Sequence, residues 1–178
     1  RGRVLQTVAD NHLGGQDRTM TRYAFDGLVH QSVVRHSNAT SNTTHYVTQW
    51  SEYDHTGRVK ASYQEIQEGG DGNTPYVYKD LTVAKTTGSV EQISTLEYNE
   101  LGQLITKKLG EKSGSIDPLQ TLDFRYNIRG WMTHLNDAQL STQSLDNDLF
   151  GFELKYAQGG PQNYLNGNIG QMVWKSSL

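Results

Sequence analysis

The chain has 178 residues and a formal net charge of −3, and neither sign forms a block, which excludes the basic footprint of a nucleic-acid or anionic-membrane binder. It contains no cysteine, so disulfides and thiolate metal sites are excluded, and no apolar window reaches the ~20 residues that span a bilayer. Only 34% of the residues are hydrophobic and the mean hydropathy is −0.69, which favours a thin layer wetted on both faces.

A seven-residue phrase recurs along the chain: YAFDGLV at 23–29, YDHTGRV at 53–59, YNELGQL at 98–104 and YNIRGWM at 126–132. Each copy has tyrosine first, glycine fifth and an apolar residue seventh. A shortened fifth copy is predicted at Tyr164 and Gly167. Repetition at this spacing indicates an array of units that pack on their neighbours. The repeat residues are Tyr23, Gly27, Tyr53, Gly57, Tyr98, Gly102, Tyr126 and Gly130.

Each phrase is interpreted as the end of one strand, a turn and the start of the next strand. Apolar and polar residues alternate through Leu122, Phe124 and Tyr126 before one turn, which is the period of a half-buried strand. Glycine supplies the positive φ that many hairpin turns require. Asp71-Gly72 and Asn166-Gly167 are further hairpin signals. The sequence therefore predicts an all-β fold of consecutive antiparallel hairpins that form a curved sheet.

A helix is the alternative for residues 90–109. Val90, Ile93, Leu101, Leu104 and Ile105 fit one helical face. Gly102 would then lie inside the helix, at a cost of about 1 kcal/mol. Since the same phrase recurs where no helical pattern exists, strands are the preferred prediction.

The copy at 53–59 resembles the tyrosine-aspartate repeat of the Rhs family, because Tyr53-Asp54 is followed by Gly57-Arg58 and an aliphatic residue. The longer phrases between residues 90 and 176 resemble the form found in Rhs-repeat proteins of Bacteroidetes. Asn99 and Asn127 depart from the pattern by replacing aspartate. The chain begins Arg1-Gly2-Arg3 without methionine, so residues 1–178 are expected to be a fragment of a longer repeat region with no separate catalytic domain.

The Rhs resemblance implies a long ribbon of strands coiled into a large hollow shell. Such shells enclose or carry a toxic C-terminal effector for export, so the expected location is secreted or at the cell surface. The partners it implies are the remainder of the same shell, an enclosed effector domain and secretion machinery. The expected role is structural, without enzymatic activity and without a cofactor.

Searches for catalytic and metal-binding patterns support this structural role. None of the six histidines has a metal-ligand spacing, so a metal site would have to be assembled from distant segments. The Asp146–Asp148 carboxylates are interpreted as a polar turn, because Ca²⁺ needs six to eight oxygen ligands. Glycine-rich stretches at 68–74 and 157–163 lack a phosphate-binding ending and are interpreted as loops. No catalytic, cofactor or metal residue is predicted.

The aromatic residues leave a second hypothesis open. Trp131 and Trp174 are candidate contacts for a ligand, since exposed aromatic rings can stack on sugars. Carbohydrate binding at a cell surface is therefore the alternative function. For the repeat tyrosines, packing between neighbouring strands is the preferred interpretation.

Overall fold

In the computed structural model the described residues, which are 2–40, 43–69, 81, 90–110, 117–141, 148–156 and 166–177, form eleven β-strands. The strand pairs formed by these residues are antiparallel and join strands that are consecutive in the chain, which confirms the predicted all-β fold of hairpins. The strands are β1 Gln6–Asp10, β2 Gln16–Tyr23, β3 Val29–Asn38, β4 Thr43–Tyr53, β5 Val59–Gly69, β6 Glu91–Tyr98, β7 Leu104–Leu109, β8 Gln120–Tyr126, β9 Met132–Leu135, β10 Phe150–Lys155 and β11 Gln171–Ser176.

The chain divides into two compact units, Arg1–Ile93 and Ser94–Leu178. The first unit is an antiparallel meander of β1 to β5. The second is a meander of β6 to β11. The helical alternative for residues 90–109 is wrong, because β6 and β7 occupy that range and pair with each other. No helix among the described residues has the length and apolar character needed to cross a bilayer.

The two faces of each sheet are defined here by the repeat tyrosines. Face A carries the residues one and three positions before a tyrosine, and face B those two and four positions before it, because side chains alternate along a strand. In the first unit, face A is buried: Trp50 is 1% exposed and stands opposite Tyr63, and Val33 is fully buried. Leu81 and Val90 pack on this core. Face A therefore holds the core of the first unit.

In the second unit the apolar side chains lie on face B. Phe124, Leu135, Phe152 and Trp174 form one row of register partners across four strands. None of these four is buried, and Trp174 is 62% exposed. Face A of this unit instead carries polar and charged side chains, among them Asp123, Arg125, Glu153 and Lys155.

Candidate functional site: a ladder of tyrosine turns

The four predicted repeat copies form one and the same turn, which joins β2–β3, β4–β5, β6–β7 and β8–β9. In each turn the backbone N–H of the second residue donates to the carbonyl of the sixth, and the N–H of the fifth-position glycine donates to the carbonyl of the second, as at Asp54, Gly57 and Arg58 with distances of 2.9 and 3.0 Å. The fifth residue has a positive φ in every copy, between 80° and 96°, so glycine is required there. The strand register shifts by one residue at all four turns, after Arg22, Glu52, Glu97 and Arg125.

In three of the four copies, the second-position side chain stabilises the turn by accepting hydrogen bonds from backbone N–H groups of the same turn. Asp54 Oδ1 accepts hydrogen bonds from the backbone N–H groups of Thr56 and Arg58, at 2.8 and 3.0 Å. The same two backbone positions donate to Oδ1 of Asn99 and of Asn127, at 2.9 to 3.0 Å. Asparagine therefore serves as well as aspartate at this position, because the turn needs only a side-chain carbonyl or carboxylate oxygen.

Residues two and six of a copy also pair with each other. The Arg58 guanidinium donates to Asp54 Oδ2 at 2.6 Å, and in the next copy the Asn99 amide donates to Gln103 Oε1 at 2.9 Å. Partial burial by itself raises the pKa of Asp54, but hydrogen bonds from Thr56 and Arg58 outweigh it and lower the pKa well below its ordinary value. Asp54 therefore stays a carboxylate, whereas Asn99 makes the equivalent contacts without a charge.

The copy at 23–29 uses a different residue for the same purpose. Ala24 at its second position has no side-chain acceptor, and Asp26 Oδ1 instead accepts from the N–H of Leu28 at 2.9 Å. The backbone bonds of the turn are unchanged, with Ala24 N donating to Leu28 O at 2.8 Å. The turn therefore tolerates loss of the second-position acceptor when a neighbouring carboxylate replaces part of it.

Three of the repeat tyrosines join their turn to the chain segment before it. Tyr53 Oη donates to the carbonyl of Val29, and Tyr126 Oη donates to the carbonyl of Leu104, each at 2.8 Å. Both acceptors are the seventh residue of the preceding copy in the same unit. Tyr23 Oη donates in the same way to Val4 O at 3.2 Å. The first and seventh positions of the phrase are thus the donor and acceptor of a bond between successive hairpins.

The sixth-position side chains make a second contact between successive turns. A Cβ atom added at Gly57 would lie 3.5 Å from Leu28, and one added at Gly130 would lie 3.2 Å from Gln103. Leu28 and Gln103 are the sixth residues of the copies that precede these glycines. The sixth side chain of one copy therefore lies over the glycine of the next.

Trp131 occupies this sixth position in the copy at 126–132. Its ring lies 5.1 Å from the ring of Tyr156 and would be 3.1 Å from a Cβ at Gly167. The Arg129 guanidinium also lies over this ring, 5.1 Å from its centroid. Trp131 is half-buried in contacts within the ladder. Trp174 is different: it stands on β11, 6.1 Å from the Phe150 ring, with most of its surface exposed.

Two members of the ladder, and a third turn outside it, were missed by the sequence prediction. Tyr156 Oη donates to Met132 O at 2.6 Å, and so makes the tyrosine bond at the β10–β11 connection. Tyr164 and Asp71-Gly72, which the sequence prediction had assigned to a copy and a hairpin, lie outside the described residues. Gly2-Arg3-Val4 repeats the last three positions of the phrase: Gly2 has a φ of 87°, Arg3 lies over Tyr23 and Gly27, and Val4 accepts from Tyr23. The sequence contained a signal for this member, because Gly2-Arg3-Val4 is identical to Gly57-Arg58-Val59.

The third missed turn lies between β1 and β2, at the other end of the strands. Asn11 N donates to Gly15 O, and Asn11 Oδ1 accepts from the N–H groups of Leu13 and Gly15, at 2.9 to 3.1 Å. Gly14 has a positive φ of 70°. This turn has the same hydrogen bonds but no tyrosine, with Asp10 in the first position. The turn and the tyrosine bond are therefore separable features.

A polar depression of about 570 Å³ lies on the second unit, at the end of the strands opposite the tyrosine turns. Asp137 caps a turn there, with Ser141 Oγ and the N–H groups of Gln139 and Ser141 as donors. The Ser141 hydroxyl is the largest cause that lowers the pKa of Asp137 to about 2, followed by the two backbone donors. The lining residues are Asp123, Arg125, His134, Asn136, Asp137, Ala138, Gln139, Ser141, Asp148 and Glu153.

Several polar groups that line this depression make hydrogen bonds between neighbouring segments of the chain. Asn136, which is 5% exposed, accepts from Asp123 N and donates to Phe150 O, at 2.8 and 2.9 Å. Asp148 accepts from Asp137 N at 3.4 Å, while Asp146 lies outside the described residues. In the described part of the chain no three histidine or acidic side chains converge on a point that could hold a metal ion. Comparison of the sequence with family models and with curated proteins found no match.

Proposed function

We propose that the chain is a structural segment of a secreted, Rhs-like bacterial shell, in which hairpins locked by tyrosine turns form a wall that encloses or carries an effector. The observation that carries this proposal is the use of the repeat residues. In the copies whose contacts are described, the residues at positions one, two, five, six and seven form the turn or join it to its neighbour. Because the repeat residues are used in contacts within the sheet, a structural role is favoured.

The thin core supports the same proposal. Large buried apolar side chains among the described residues lie in the first unit, while the large apolar side chains described in the second unit remain partly exposed. A wall that meets solvent on one side and enclosed contents on the other needs little buried hydrophobic mass. The remainder of the shell, an effector domain and secretion machinery are the partners that this role requires.

Electron microscopy of the natural full-length product tests this proposal. The expected result is a closed wall of consecutive hairpins, in which the density for residues 1–178 continues directly into further strands. An open, isolated sheet without enclosed volume would contradict the shell. Circular dichroism of the 178-residue chain dominated by helix would contradict the hairpin array itself.

Carbohydrate binding at a cell surface is a second candidate, and the exposed ring of Trp174 favours it. A glycan array compares the wild-type chain with Trp174→Ala and Trp131→Ala. If the exposed ring stacks on a sugar, Trp174→Ala abolishes the signal, while Trp131→Ala controls for a tryptophan that is packed within the ladder. Equal signals from all three proteins, or no signal, would exclude this candidate.

A further inference from the structure

Two of the six histidines meet on face B of the first unit, although they belong to different strands. His36 on β3 and His45 on β4 are direct register partners. Asp17 on β2 is the register partner of His36, and Glu68 on β5 is the register partner of His45. The row is therefore carboxylate, imidazole, imidazole, carboxylate across four adjacent strands. Side chains of register partners project from the same face, with Cβ atoms about 4.5–5.5 Å apart.

The first carboxylate fixes the ring of His36. Asp17 Oδ1 lies 2.5 Å from His36 Nδ1 and also accepts from Asn11 Nδ2 at 3.0 Å. Since a carboxylate only accepts, Nδ1 of His36 carries the proton in this contact. The lone pair of the neutral ring then lies on Nε2, which points away from β2.

His45 is available as a second nitrogen ligand. Within the described part of the chain its side chain makes no hydrogen bond or ion pair, and neither does the side chain of Glu68. Both imidazoles are partly exposed, so an ion can reach them from solvent. Imidazole nitrogen is a preferred ligand of Zn²⁺, Ni²⁺ and Cu²⁺. A carboxylate that holds the second nitrogen of a histidine ligand is a common outer-shell partner in such sites.

We propose that His36 Nε2 and a ring nitrogen of His45 bind one divalent transition-metal ion of this imidazole-preferring class. Asp17 orients His36 without touching the ion, and Glu68, the register partner of His45, adds a second carboxylate beside the site. Because no three acidic or histidine side chains converge among the described residues, water completes the coordination. The pairing of β3 with β4 creates this site, which no spacing along the sequence reveals.

Calorimetric titration of the untagged 178-residue protein with NiCl₂ and with ZnCl₂ at neutral pH tests the proposal. One ion per chain is expected. His36→Ala and His45→Ala each weaken the affinity by roughly tenfold or more, and Asp17→Asn weakens it by about tenfold through loss of the orienting carboxylate.

His134→Ala is the matched control. The His134 side chain is 32% exposed and lies near the Glu153 carboxylate, compared with 35% for His36 beside Asp17, but His134 has no histidine partner in its row. It is expected to leave the affinity unchanged. Absence of binding, or equal affinities in wild type, His36→Ala and His45→Ala, would overturn the proposal, as would an equal loss in His134→Ala. His36→Gln, checked by circular dichroism, replaces His36→Ala where the alanine variant is unfolded.

Discussion

Both units contain the same tyrosine turns, but relative to these turns they carry their large apolar side chains on different faces. In the first unit, face A is buried around Trp50, which is 1% exposed. In the second, face A is polar and the apolar row on face B ends in Trp174, which is 62% exposed. The tyrosine bond reaches a backbone carbonyl in both units. The ladder is thus independent of which face is apolar, because it uses turn residues and backbone atoms.

The largest expected effect is a difference in stability between a variant on the buried face A of the first unit and one on the exposed face B of the second. Trp50→Ala removes a buried ring that packs with Ala61 and Tyr63, and should lower the free energy of unfolding by about 3–5 kcal/mol. Trp174→Ala removes an exposed ring, and should lower it by less than about 1 kcal/mol. Denaturant unfolding of both variants measures the difference. Similar losses in the two variants would contradict the assignment of the core to face A of the first unit.

The next effect should be equal in the two units. Gly57→Ala and Gly130→Ala each place a Cβ on a residue with a φ of 84° or 80°, at a cost of about 1–2 kcal/mol. Asparagine tolerates this region better than alanine, so Gly57→Asn and Gly130→Asn are the controls and should cost less. The same denaturant experiment measures all four. A cost confined to one unit would show that the turns are not equivalent.

A smaller effect tests the tyrosine bonds. Tyr53→Phe and Tyr126→Phe keep the ring but remove the hydroxyl that donates to Val29 O or Leu104 O. Each should lower the free energy of unfolding by about 0.5–1.5 kcal/mol, which is the usual net value of one hydrogen bond. Tyr46→Phe is the comparison variant, because Tyr46 lies on face A of the first unit and is not one of the ladder tyrosines. No loss in either ladder variant would mean that packing of the ring alone matters.

The smallest effect distinguishes charged from neutral turns. The pKa of Asp54 is lower in the folded chain than its ordinary value of 3.8, so its contribution to stability is present above pH 4 and is lost as the pH falls below that value. Asn99 and Asn127 do not titrate. The protection of the Thr56 and Arg58 amides relative to their intrinsic exchange rates should therefore fall on acidification, while the protection of the Asn99 turn should not change. Asp54→Asn should remove the difference.

Asp137 is a second carboxylate whose contribution to stability should depend on pH. Its pKa is lowered to about 2, so the stability that it contributes should be lost between about pH 4 and pH 2. Asp137→Asn should flatten the pH dependence in this window, as measured by thermal unfolding from pH 5 to pH 2. An unchanged pH profile would mean that Ser141 and Gln139 do not stabilise the carboxylate.

The strands and turns could be predicted because their signals are local. Alternation before Tyr126 and the glycine at each fifth position predicted β8 and the positive φ of Gly130. The tyrosine bond could not be predicted, since the choice between ring packing and a hydroxyl bond to a carbonyl depends on the distance between hairpins. Tyr156 was missed because Gln162, at the seventh position of its phrase, is not apolar.

The faces and the histidine row depend on pairing between strands. Alternation shows that two faces differ but does not show which one is covered, so burial of Trp50 and exposure of Trp174 could not be distinguished from the sequence. His36 and His45 are nine positions apart, and only the register of β3 with β4 places them side by side. The position of Trp131 over Gly167 likewise depends on how two successive hairpins stack.

Amide hydrogen exchange of the Tyr126→Phe variant tests most directly the claim that successive turns are joined. Loss of the bond to Leu104 O should accelerate exchange in two turns, at Gly130 and Trp131 and also at Gly102 and Gln103 of the preceding copy, while Gly57 and Arg58 keep their wild-type rates. Acceleration only at Gly130 and Trp131, or at none of these amides, would contradict the ladder.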